Sequence, residues 1–220
     1  MLQIYKKLLE LPLFLGIGSA DLKEIVGATK FGFHTLKPKE TLAKENDKSN
    51  MLFFLMNGTM LVESFADNHS YSIIEEIAAP AAVQPERLFG LVQNYSKNFI
   101  AKTECSFISL NKNEVLRLAD QYLIFRLNFF NLLSNKAQRY SRYVWQQEPN
   151  NIKEKFIHFL RLHCEYPAGK KILKTTMQTL ADELHESRLN VSKMLNQSKE
   201  NGEIQLTRSE INIPALEKMR

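Results

Sequence analysis

The sequence predicts an α+β chain in three parts: a sandwich or barrel of short antiparallel strands, one long helix, and a helix-turn-helix followed by a β-hairpin. Three observations carry that prediction. Between residues 30 and 110 short apolar runs alternate with turn residues. From 112 to 147 there is neither Gly nor Pro, and apolar residues recur every seven positions. From Met177 to Ile213 two short amphipathic stretches flank a turn, and two alternating runs follow.

The chain opens with broken helix. Leu8, Leu11, Phe14 and Ile17 are spaced for one face, and Pro12 interrupts them. Ser19 then starts SADLKEIV, with an acid in the first turn, and reads as a helix cap. Strands are expected at Phe31–Leu36, Thr41–Leu42, Met51–Met56, Met60–Phe65, Tyr71–Ile77, Asn98–Ala101 and Ser106–Leu110. Asn57-Gly58, between two apolar strands, is the sharpest hairpin signal in the chain.

The long helix follows. Leu123, Phe130, Ala137 and Val144 recur every seven residues, and Leu127, Leu133 and Tyr140 fill the intermediate spacings. About 25 helical residues span roughly 37 Å, more than a small domain needs for its own core. The heptad makes this a candidate dimer helix; the alternative is a helix lying on its own barrel. Pro149-Asn150-Asn151 marks a boundary, and Ile152–Cys164 is amphipathic, with Ile152, Phe156, Phe159, Leu160 and His163 on one side. The expected organisation is therefore 1–111, 112–148 and 149–220.

In the last segment, Leu180, Ala181 and Leu184 share one face of a short helix, and His185-Glu186-Ser187 forms a turn. His185 falls where that turn needs positive φ. Ser187 is a good N-cap, and Val191, Met194 and Leu195 form the inner face of the second helix. Arg188, Leu189, Asn190, Ser192, Lys193 and Asn196 must then point partly or wholly outward. Arg can pair bidentately with guanine and Asn with adenine in the major groove, so this face, with Gln178 on the preceding helix, reads as a contact surface for double-stranded DNA. Asn201-Gly202 ends the helix, and Ile204, Leu206, Ile211 and Ile213 alternate around Thr207-Arg208-Ser209, with Arg208 at the tip of a wing in reach of a phosphate.

Charge agrees without deciding. The net charge is +5, and from Asn150 onward 12 Lys and Arg stand against 9 Asp and Glu, a net +3. That allows nucleic acid as a partner but is too diffuse to name it.

With these motifs in order, the chain resembles the CRP/FNR, catabolite-activator-like regulators of bacteria. LPLFLGIGSADLKEI resembles the opening helices, Glu40–Val62 the barrel signature, and Ser187, Arg188, Val191 and Lys193 the recognition-helix pattern. Leu189 stands where an acid often reads cytosine. The resemblance implies a cyclic-nucleotide-binding-like jelly-roll β-barrel, a dimerisation helix and a C-terminal winged helix-turn-helix. It also implies a homodimeric transcription regulator with RNA polymerase as a further partner.

The same resemblance makes the cyclic-nucleotide cassette degenerate. The family's Gly-Glu is replaced by Gln84-Pro85, and its Arg-Ser-Ala by Tyr95-Ser96-Lys97. Proline removes an N–H donor and the Arg fork is gone, which argues against a cyclic nucleotide. Glu86, Arg87, Tyr95, Ser96 and Lys97 remain to build a different effector pocket, for another small molecule or for none.

Other classes are disfavoured. Two cysteines, Cys105 and Cys164, are too few for a disulfide scaffold or a four-thiolate cluster. His34, His69, His158, His163 and His185 are scattered without ligand spacing, so neither haem nor metal is expected. No catalytic motif is present, and no enzyme activity is expected. No apolar run approaches the roughly 20 residues of a membrane span, so no membrane is expected as a partner and the protein is expected in the cytoplasm. The competing readings are a small-molecule-binding jelly-roll protein and a regulatory module acting by protein contacts alone.

Overall fold

Among the described residues the seven strands expected before residue 112 are found, with one more, Ala81–Val83, that the turn spacing did not predict. A computed structural model describes residues 2–145 and 149–219. Helices α1 (Leu2–Leu9) and α2 (Ser19–Ala28) flank a 3-10 turn, Pro12–Phe14. The strands are β1 (Gly32–Leu36), β2 (Thr41–Ala43), β3 (Met51–Asn57), β4 (Thr59–Phe65), β5 (Ser72–Ala78), β6 (Ala81–Val83), β7 (Lys97–Ala101) and β8 (Cys105–Asn111). Then come α3 (Lys112–Gln121), α4 (Leu123–Val144), α5 (Ile152–His163), β9 (Lys171–Lys174), α6 (Met177–Glu183), α7 (Arg188–Glu200), β10 (Gln205–Thr207) and β11 (Glu210–Ile213).

The chain packs as two units, neither of them a single run of sequence. One is Met1–Met60 with Ile77–Arg142, and the other is Leu61–Glu76 with Tyr143–Arg220. The division passes through β4 and β5, so the hairpin 61–76 belongs with the C-terminal segment.

In the first unit the antiparallel sheet runs β1-β8-β3-β6, and β2 pairs with β7. Among the described residues this is an open sheet and not the closed barrel expected, because most of β4 and β5 is drawn into the other unit's sheet. The core is aromatic: Phe14, Phe54 and Phe125 are fully buried, with the Phe14 ring edge-on to both others. Leu8, Leu11, Phe14 and Ile17 all reach this core, so Pro12 breaks the helix without breaking the face.

Three local expectations are corrected. Asn57-Gly58 makes no hairpin, since β3 pairs with β8 and β6 while β4 has other neighbours. Gly58 instead turns the chain from one sheet to another, with φ +94°, where a Cβ would collide with the Glu104 carbonyl oxygen. Ser19 is the first helical residue, not the cap; Gly18 occupies the cap, its carbonyl accepting from Leu22 N at 2.9 Å. The long helix is interrupted at Tyr122, whose backbone is extended, leaving 22 residues in α4. Its expected continuation through Gln146 and Gln147, and the side chain of Val144, lie outside the described residues.

The second unit is built on the sheet order β10-β11-β9-β5-β4. Phe156, Phe159 and Leu160 of α5, Leu180 and Ala181 of α6, and Val191, Met194 and Leu195 of α7 share its core. Tyr71 and Ile73, from the inserted hairpin, complete it.

Candidate functional site

The candidate surface on α6 and α7 is assembled by local rules. Thr176 caps α6, its side chain accepting from Thr179 N, and Ser187 caps α7, accepting from Asn190 N at 3.2 Å. Between the helices His185 takes φ +52°, as the turn requires. Burial of Val191, Met194 and Leu195 turns Arg188, Leu189, Asn190, Lys193 and Asn196 to the exposed side, with Ser192 half-buried at its margin. Leu189 is 64% exposed, an apolar side chain among polar ones. Gln178 is exposed on α6 and donates to Asp182 at 2.8 Å. Arg208 is exposed in the turn between β10 and β11, next to Ser209 at φ +63°.

Two ion pairs set α5 against this surface. Lys155 meets Glu186 at 2.7 Å, and Lys153 meets Glu203 at 2.7 Å. Hydrogen bonds from Lys155 and Asn190 hold the Glu186 carboxyl below the usual carboxylate range. A cleft of about 540 Å³ lies between the start of α5 and the flank of α7. Asn151, Lys153, Asn190, Lys193, Gln197 and Asn201 are among its lining residues. The sequence reading missed Lys153, Gln197 and Asn201. The signal for Gln197 and Asn201 was the helical spacing of 190, 193, 197 and 201 along α7 and its C-cap; Lys153, on α5, had none.

On α4 the stripe Leu123, Leu127, Phe130, Ala137 and Tyr140 is exposed, while Phe125 and Phe129 are buried on the opposite side. Leu133 is half-buried and packs on the first unit's own core. One face of the helix is thus buried in the first unit's core and the other is exposed in the single chain.

Gln84 and Ser96 bond to one another. Gln84 is buried, in the left-handed region at φ +36°. Its Nε2 donates to Ser96 Oγ at 2.7 Å, and its Oε1 accepts from Ser96 N at 3.1 Å. The Ser96 N–H is thereby taken up by the Gln84 carboxamide, while the Ser96 hydroxyl serves it as an acceptor. Tyr95 is buried against Phe99 and donates to the Met51 carbonyl at 3.3 Å; burial pushes its hydroxyl pKa up. Glu86 turns to α4 and meets Lys136 at 3.0 Å. Arg87 and Lys97 are half-buried.

His158 and His163 of α5 and His185 of the turn after α6 line one cleft of about 330 Å³ with Glu183. Among the described residues no group of three or more His, Cys, Asp or Glu is placed to hold a metal ion. Among them also, no helix is long and apolar enough to cross a membrane.

No curated protein sequence matches the chain. Solved structures do. The catabolite activator protein of Thermus thermophilus is 14% identical, over 92% of this chain and 93% of that one, with a TM-score of 0.48. The c-di-GMP-responsive global regulator CLP of Xanthomonas campestris is 11% identical, over 90% and 99%, with a TM-score of 0.49. FixK2 of Bradyrhizobium japonicum is 12% identical, over 86% and 96%, with a TM-score of 0.47. Residues 33–122, which hold β2 through β8 and α3, match the family described as the cyclic nucleotide-binding domain.

Proposed function

We propose that this protein is a sequence-specific double-stranded DNA-binding transcription regulator that acts as a homodimer, with α7 in the major groove. The observation that carries the reading is the outer face of α7. Arg188, Asn190, Lys193 and Asn196 stand exposed on a helix whose other face is locked in a core, beside a wing tipped by Arg208. Rigid presentation of Arg and Asn to a groove is what base readout requires. The apolar stripe of α4 supports a second copy as its cover. RNA polymerase is the partner such a regulator would engage.

The Gln84 carboxamide, seated on the Ser96 N–H, supports an effector other than a cyclic nucleotide, or none. Titration calorimetry with cyclic AMP and cyclic GMP is expected to show no binding heat.

Selection of duplexes from a random library by the full-length protein tests the DNA reading. Near-palindromic sites are expected, with half-site centres about 34 Å apart. A retained pool no more ordered than the input, with equal affinity for scrambled duplex, overturns it.

A further inference from the structure

The strand that supports the wing has a second neighbour from a distant part of the chain. β9 pairs on one side with β11 and on the other with β5. The β5 register is Ser72↔Lys174, Ile73↔Leu173, Ile74↔Ile172 and Glu75↔Lys171. By strand alternation Ile73 and Glu75 share a face with Leu173 and Lys171, and none of the four is more than 1% exposed. An ion pair therefore points into the core. The Glu75 carboxylate accepts from Lys171 Nζ at 3.0 Å, Glu165 N at 2.6 Å and Tyr166 N at 3.1 Å. Lys171 also donates to the Ala168 carbonyl at 2.9 Å.

Such a pair adds little net stability against an apolar replacement, but it specifies register. A slip of one strand by one residue leaves a buried charge without its partner and turns Ile73 or Leu173 outward. Glu75 also gathers the segment that leads from α5 into β9. Further contacts repeat the fastening: Lys174 and Ser72 both reach Glu63 of β4, and the Tyr71 hydroxyl meets His163 Nε2 at 3.0 Å. Because Lys171–Lys174 pair residue for residue with Glu210–Ile213, the register of β9 fixes the height of the wing.

We propose that hairpin 61–76 is a positioning element of the DNA reader, and that Glu75, acting through Lys171, sets the wing that carries Arg208. The inference rests on the DNA reading above. The test is a cycle in the full-length protein, comparing wild type, R208A, E75Q and the double variant on a selected duplex by fluorescence anisotropy. R208A is expected to weaken binding several-fold in the wild type but by less than about twofold in the E75Q background, as coupled sites require. An Arg208 effect of equal size in both backgrounds means that Glu75 only stabilises the fold, and overturns the proposal.

Native-state hydrogen exchange on the wild type is free of any folding defect in E75Q. The amides of 72–75 should exchange with those of 171–174 and 210–213 as one cooperative unit. Exchange of 72–75 together with β3 and β8 overturns the proposal. Wild-type protein that fails to retain any duplex at low salt sinks the DNA reading instead, and exchange still decides where the hairpin belongs.

Discussion

Glu75 and Lys171 face each other in register across β5 and β9, 3.0 Å apart, with both side chains withdrawn from solvent. Removing one partner leaves the other charge buried, so Lys171→Met is expected to cost about 3–5 kcal/mol. Adding Glu75→Gln should recover much of that, since the amide oxygen still accepts from one of the two backbone N–H groups and no buried charge remains. Urea unfolding followed by circular dichroism measures both. A double variant as unstable as Lys171→Met alone would show that the charge is not what governs the site.

On the exposed face of α7, under the DNA reading, Arg188 and Leu189 should act differently. Arg188→Ala is expected to cost about 1–3 kcal/mol and to relax selectivity at one base pair. An exposed leucine on a reading face fits the C5-methyl of thymine. Replacing thymine by uracil at the matching position should weaken wild-type binding, and Leu189→Ala should erase the difference. Arg208→Ala should weaken binding on all sequences and lower the salt slope by about one counterion. Competition anisotropy at several salt concentrations separates the three behaviours.

The α6–α7 pair was legible because its information is local. Ser187, His185 and the inner triad Val191, Met194 and Leu195 lie within eleven residues, and each acts on near neighbours. The seven expected strands likewise rest on local alternation. What escaped is non-local. β9 is Lys-Ile-Leu-Lys, and a strand whose inward position is a lysine carries no apolar alternation; the charge of that lysine is met by Glu75, nearly a hundred residues earlier. Asn57-Gly58 favours a hairpin by itself, but pairing of β3 with β8 decided otherwise. The break at Tyr122 has no Gly or Pro to announce it, and its N–H still reaches the Leu118 carbonyl at 2.9 Å.

The two faces of α4 give opposite outcomes on substitution. Phe129 is in the core, so Phe129→Ala should destabilise by about 3–5 kcal/mol without changing assembly of the folded fraction. Phe130 is 55% exposed in the single chain, so Phe130→Glu should leave stability within about 0.5 kcal/mol per protomer while placing a charge in the seam. Sedimentation should show a dimer for the wild type and a monomer for Phe130→Glu. Wild-type protein that sediments as a monomer at micromolar concentration defeats the dimer reading.

Alkaline pH should loosen the second unit through Tyr71. Burial, with the Glu183 and Asp67 carboxylates adding to it, pushes the Tyr71 hydroxyl up from 10.0 to about 12. A group whose folded pKa is raised holds its full contribution below the unfolded value and loses it as pH climbs through the folded one. The contribution of Tyr71 is therefore complete below pH 10 and falls away between pH 10 and 12. The phenolate that forms can no longer donate to His163, and it faces two carboxylates inside the same unit. Melting followed from pH 9 to 12 should show a steeper fall for wild type than for Tyr71→Phe, which keeps the ring against Phe159 but has no proton to lose. Parallel curves for the two proteins would place the alkaline sensitivity elsewhere, among the lysines or in Tyr95.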